Sequence, residues 1–82
     1  MLGRYDEADA YFARAAAFND RADAKFFAAR TNLQWGKMLA ERDAPGDTEQ
    51  ARHLLTKAQT VAAANGYANV ERRASVALQR LN

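Results

Sequence analysis

Residues 3–18, GRYDEADAYFARAAAF, decide how this chain is read. Tyr5, Ala8, Phe12 and Ala15 recur at three- and four-residue spacing, which places them on one face of an α-helix with Tyr11 and Phe18 beside them. Asp6, Glu7 and Asp9 fall in the first turns, where carboxylates complement the positive end of the helix dipole. These features predict a helix from Tyr5 to Phe18, closed by Asn19 and Asp20, residue types suited to capping a stop and a restart.

The same pattern returns 43 residues on, in GDTEQARHLLTKAQTV at 46–61. Gly3 meets Gly46, Ala8 meets Ala51 and Ala15 meets Ala58, while Tyr11, Phe12 and Phe18 meet Leu54, Leu55 and Val61. One offset also relates Arg30, Leu33, Trp35, Lys37 and Met38 to Arg73, Val76, Leu78, Arg80 and Leu81. A spacing that serves two separate helix pairs points to internal repetition. Alanines two turns apart make a flat strip that a neighbouring helix can approach, and Tyr11, Phe12 and Phe18 are expected to fill the grooves beside it.

Between these stretches, Phe26, Ala29, Leu33, Gly36 and Ala40 predict a second helix over 21–42, its apolar side widened by Phe27, Trp35 and Leu39. Pro45 and Gly46 break the pattern. Asp47, with Gln50 three residues on, predicts a capping box for a third helix that ends at Asn65-Gly66. Val70, Ala74, Ala77, Leu78 and Leu81 predict a fourth, from Ala68 to Leu81. Short connections imply antiparallel neighbours.

Composition agrees with this reading. About a quarter of the 82 residues are alanine, with four glycines and one proline, so the expected fold class is all-α, a single domain over 1–82. The absence of cysteine removes disulfides and thiolate metal sites. No apolar run approaches the roughly 20 residues that span a bilayer and no signal segment is present, so the expected location is the cytoplasm. A net charge of +2 with interspersed signs does not suggest a dedicated nucleic-acid binder.

With these residues in view, GRYDEADAYFARAAAF resembles the second helix of a tetratricopeptide repeat, through Gly3, Tyr5, Ala8, Phe12 and Ala15. The stretch 46–61 resembles the same half-motif through Gly46, Ala51, Leu55 and Ala58, and Trp35-Gly36 stands where the family's first helix has a Leu-Gly pair. The period of 43 exceeds the family's about 34. The turn at Asp43–Gly46 is expanded, and the proline that commonly closes a repeat is missing. In these departures the chain resembles the longer, degenerate repeats at the C-terminal end of large bacterial signalling ATPases, including transcriptional regulators. That resemblance implies antiparallel helix-turn-helix repeats stacked as a short right-handed superhelix: half a repeat, a full repeat, then half a repeat, in a fragment of a longer protein. It also implies a protein–protein interaction role.

No residue set calls for chemistry. His53 is alone, without cysteine or a second histidine, and reads as a surface or boundary residue. Asp6, Glu7 and Asp9 read as a solvated helix start, and the four scattered glycines form no phosphate loop. We therefore expect no enzyme activity, metal or cofactor. Phe26, Phe27 and Trp35 are expected in the core, although one of the two adjacent phenylalanines must leave the main stripe because successive positions differ by about 100°.

The partner-binding expectation falls on Arg30, Lys37, Arg73 and Arg80. Each pair is seven residues apart, so its members share a face, and by the resemblance that face is the concave one. Such a row suits an acidic peptide or a C-terminal carboxylate. The alternatives are a helical nucleic-acid-binding domain using the same row and a four-helix bundle with a pocket lined by polar residues. The first helix lacks its own repeat partner, so self-association is expected through Tyr5, Tyr11, Phe12 or nearby residues.

Overall fold

The computed structural model describes residues 3–21 and 24–81 and shows four helices: α1 (Gly3–Arg21), α2 (Lys25–Arg42), α3 (Asp47–Asn65) and α4 (Ala68–Leu81). The all-α reading holds; among the described residues there is no strand. Each helix packs against its neighbour in sequence, α2 and α3 most extensively, and α2 also touches α4. The assembly measures 36 × 29 × 17 Å. Among the described residues α1 packs against α2 alone, so its far side is uncovered.

The core lies between α2, α3 and α4. Ala29, Leu33, Leu55, Ala58, Ala62, Val70 and Ala74 form one buried cluster, and Leu39, Ala51 and Leu54 form a second. Small residues set the helix spacing. A Cβ added at Gly36 would lie 2.7 Å from Leu55 Cγ and 3.3 Å from the Ala51 carbonyl oxygen, so this glycine admits α3 against α2. At the turns, Gly46 (φ 85°) precedes α3 and Gly66 (φ 75°) terminates it, both in the left-handed region that a side chain disfavours. Gly66 thus ends α3 as the Asn65-Gly66 pair predicts.

Several expectations are corrected. Asn19 and Asp20 do not end the first helix, which continues to Arg21. Asn19 is buried within it, and its side-chain amide donates to Thr31 Oγ1 at 3.1 Å. The second helix begins at Lys25, not Arg21, with Ala24 as an N-cap that makes no side-chain bond; residues 22 and 23 lie outside the described residues. The capping box at Asp47 does not form, because Gly46 is the N-cap and Asp47 the first helical residue. Gly3 is the first residue of α1, and its packing lies outside the described residues. The α1 face is covered only in part: Ala8, Phe12 and Ala15 are half-buried, while Tyr5, Tyr11 and Phe18 are exposed. Tyr11 and Phe18 therefore fill no groove.

Phe26 and Phe27 also leave the core. Both are exposed, and their rings meet edge to face at 5.5 Å. The buried clusters consist of Ala, Leu and Val, and no ring is among them. Trp35 is half-buried, and its indole N–H donates to Asp9 Oδ1 at 2.7 Å, tying α2 to α1.

Candidate partner-binding site

Helices α2 and α4 both pack on α3 and touch each other less, which leaves a furrow between them. One groove of about 370 Å³ is bounded by Phe26, Arg30, Leu33 and Lys37 on α2, and by Tyr67, Val70 and Arg73 on or next to α4. A second, of about 520 Å³, continues past Lys37 and Arg73 to Ala40, Glu41, Val76 and Arg80. The two share Lys37 and Arg73, so all four basic residues singled out by seven-residue spacing line one continuous furrow. Each of the four is exposed.

The charge in the furrow is not neutralised internally. Among the described residues the ion pairs are Arg42–Asp6 and Arg42–Asp47, and neither involves Arg30, Lys37, Arg73 or Arg80. Glu41 is the acidic residue of the second groove, and it accepts a long bond of 3.4 Å from the Tyr5 hydroxyl. Arg72 also lines that groove and donates to Asn69 Oδ1 at 3.1 Å.

The furrow has an apolar end. Phe26 and Tyr67 meet edge to face, with ring centroids 5.1 Å apart and planes at 88°. Tyr67 was not singled out in the sequence. Its place is fixed by the turn, because it follows Gly66 and its backbone N–H donates to the Ala62 carbonyl at 2.9 Å. That bond is the mark of a Schellman ending, in which the residue after the glycine packs back on the fold. The signal was therefore Asn65-Gly66-Tyr67 itself.

The floor of the furrow is held by α3. Ser75 donates to the Glu71 carbonyl at 2.9 Å and accepts from the Gln59 side-chain amide at 2.7 Å, fixing α4 to α3. At the far end of α2, Arg42 donates to both oxygens of Asp47, at 2.7 and 2.9 Å, and the Ala44 N–H reaches Asp47 Oδ2 at 3.0 Å. The hydrogen bond from Arg42 holds the Asp47 carboxyl below the usual carboxylate range, the Ala44 N–H adds to this, and burial works against both. The same bond holds the Arg42 guanidinium more firmly protonated.

The remaining candidates stand apart. His53 is exposed on α3. Asp6 pairs with Arg42, and Asp9 receives the Trp35 indole. Among the described residues no three of His, Asp and Glu cluster so as to hold a metal ion, and no helix is long and apolar enough to cross a membrane. Of the repeat-packing residues, Gly36, Ala51, Leu55 and Ala58 meet in the core, Gly46 shapes the turn, and Tyr5, Ala8, Phe12, Ala15 and Trp35 lie along the looser α1–α2 contact. Compared with protein-family models, curated proteins and solved structures, the chain matches none.

Proposed function

We propose that this chain is a non-catalytic, tetratricopeptide-like interaction module whose α2–α4 furrow receives an acidic segment of a protein partner. One observation carries the reading: Arg30, Lys37, Arg73 and Arg80 line a continuous open furrow and find no acidic partner within 4 Å among the described residues. Arginine suits such a task because its planar fork binds a carboxylate through two parallel bonds. The Phe26–Tyr67 edge offers apolar contact at one end, so a segment with one apolar residue followed by acidic ones fits the polarity of the furrow. The 43-residue offset supports a repeat, and the helix pairs would then be turns of a short superhelix. A parent among bacterial regulatory ATPases or transcriptional regulators rests on the sequence resemblance alone.

Fluorescence anisotropy with a labelled Leu-Glu peptide, with free or amidated C-terminus, tests this reading. The expected result is saturable binding that weakens with salt and is lost in Arg30→Ala/Arg73→Ala. Equal binding by that double variant overturns it. So does tighter, steeply salt-dependent binding of generic duplex DNA, which would make the row a nucleic-acid surface.

A further inference from the structure

The furrow does not account for α1. Its side away from α2 carries Glu7, Ala10, Tyr11, Arg14, Ala17, Phe18 and Arg21, all exposed. These positions repeat every seven residues: Glu7, Arg14 and Arg21 in one register, Ala10 and Ala17 in a second, Tyr11 and Phe18 in a third. A seven-residue repeat along one stripe is the pattern by which one helix packs along another. Tyr11 and Phe18, 61% and 62% exposed and two helical turns apart, extend an apolar patch along this stripe with Ala10 and Ala17.

We propose that this face is a homodimer interface in which α1 of one protomer lies antiparallel to α1 of its partner about a two-fold axis. The row is self-complementary in that orientation alone. With Arg14 set at the axis, Glu7 of each protomer faces Arg21 of the other, Tyr11 faces Ala17, and Phe18 faces Ala10. Both ends then carry opposite charges, and each ring meets an alanine that leaves room for it. The two Arg14 side chains meet at the axis, where each guanidinium can lie over the other protomer's Tyr11 ring. A parallel pairing would instead place Glu7 on Glu7, Arg21 on Arg21, and ring on ring.

The competing occupant within this chain is α4, which would continue the stack head to tail as α2 packs on α3. The residues forbid it. Where α2 presents Ala29, Leu33 and Gly36 to α3, the same offset places Arg72, Val76 and Gln79 on α4. Gln79 stands where even one added carbon at Gly36 would collide with α3, and its opposite number would be Phe12 rather than Leu55. Of these three positions Arg72 and Val76 line the furrow and Gln79 is exposed, so this side of α4 offers α1 a single apolar residue, whereas α1 carries the associating face.

Sedimentation across a concentration series tests the proposal, with circular dichroism to show that each variant is folded. The expected result is a weak monomer–dimer equilibrium. Glu7→Arg and Arg21→Glu should each weaken it roughly tenfold, because every dimer holds two copies of the pair. The combined variant should restore it. The chain has no cysteine, so Arg14→Cys should give a disulfide-linked dimer under mild oxidation, while Thr60→Cys, at an exposed position of α3, should not. A protein that stays monomeric at high concentration overturns the proposal. So does a dimer indifferent to both charge reversals, a double variant that fails to recover, or growth into a ladder beyond two, which would mark a head-to-tail contact. Arg30→Ala/Arg73→Ala should leave dimerisation unchanged, which separates this surface from the furrow.

Discussion

Helices α1 and α3 carry the same alanines in the same phase and end in different surroundings. Ala51, Ala58 and Leu55 are fully buried, whereas their counterparts Ala8, Ala15 and Phe12 are half-buried. Leu54 is 6% exposed and Tyr11, its counterpart, 61%. The difference does not lie in apolarity, since α1 has the larger side chains. It lies in the number of neighbours: α3 packs against both α2 and α4, whereas among the described residues α1 touches α2 alone. Helical periodicity says which residues share a face; the helices on either side decide whether that face is covered.

The most severe way to break the comparison is to truncate matched positions. Leu55→Ala should cost about 2–5 kcal/mol, because it opens a cavity at the meeting of three helices. Phe12→Ala removes more atoms but should cost only about 1 kcal/mol, since its site is half open and water can refill it. Urea denaturation of the two variants at low protein concentration checks the order. A greater loss at Phe12 would mean that α1 is as much a part of the core as α3.

Next in size is the close approach at Gly36. Alanine there gains helix propensity of about 1 kcal/mol, yet its Cβ would stand 2.7 Å from Leu55 Cγ in a fully packed site. Overpacking should win, for a net loss of about 1–3 kcal/mol. In a Leu55→Ala background the same change should become neutral or stabilising, a coupling that a double-mutant cycle measures. Gln79→Ala, at the offset position on exposed α4, should change stability by less than about 0.5 kcal/mol.

Much of this was legible in the chain. Pro45-Gly46 and Asn65-Gly66 punctuate the helices because turn chemistry is local, and seven-residue spacing sets Arg30 with Lys37, and Arg73 with Arg80, before any fold is known. What escaped depends on where separate elements meet. Asp47 looked like a cap because a local rule fitted it, but its partner is Arg42, brought near only once the turn at Asp43–Gly46 closes. The exposure of Phe26, Phe27, Tyr11 and Phe18 was hidden for the same reason. An aromatic stripe reads alike whether a helix lies over it or water does.

Asp47 supplies a smaller contrast, between the two carboxylates that Arg42 reaches from the end of α2. Arg42 reaches Asp47 at the start of α3 and Asp6 on α1, yet Asp47 is buried and Asp6 is open to water. The folded state holds the Asp47 carboxyl below its unfolded value, so its contribution is present above the unfolded value of about 3.9 and is lost as pH falls through the lower folded one. Asp47→Asn should lower Tm at neutral pH by about 4–8 °C and flatten the acid limb of the Tm–pH curve. Asp6→Asn should leave both near wild type. A parallel loss in the two variants would show that the exposed arm of Arg42 matters as much as the buried one.

The most local expected effect addresses what holds α1 at all. Among its described residues no hydrophobic side chain is fully buried; the buried one is Asn19. Polar links therefore carry an unusual share of the attachment: Asn19 to Thr31, Tyr5 to Glu41, and the Trp35 indole to Asp9 at 2.7 Å across 26 residues of sequence. Trp35→Phe keeps most of the ring and removes the donor, leaving Asp9 half-buried without it, at a cost of about 1 kcal/mol. Because α1 has no second neighbour among the described residues, that loss should appear as local opening. Amide hydrogen exchange should quicken along α1 while the amides of α3 keep their protection. If protection fell equally in both helices, α1 would be folding with the core as one unit, and the contrast between the covered and the uncovered helix would not extend to stability.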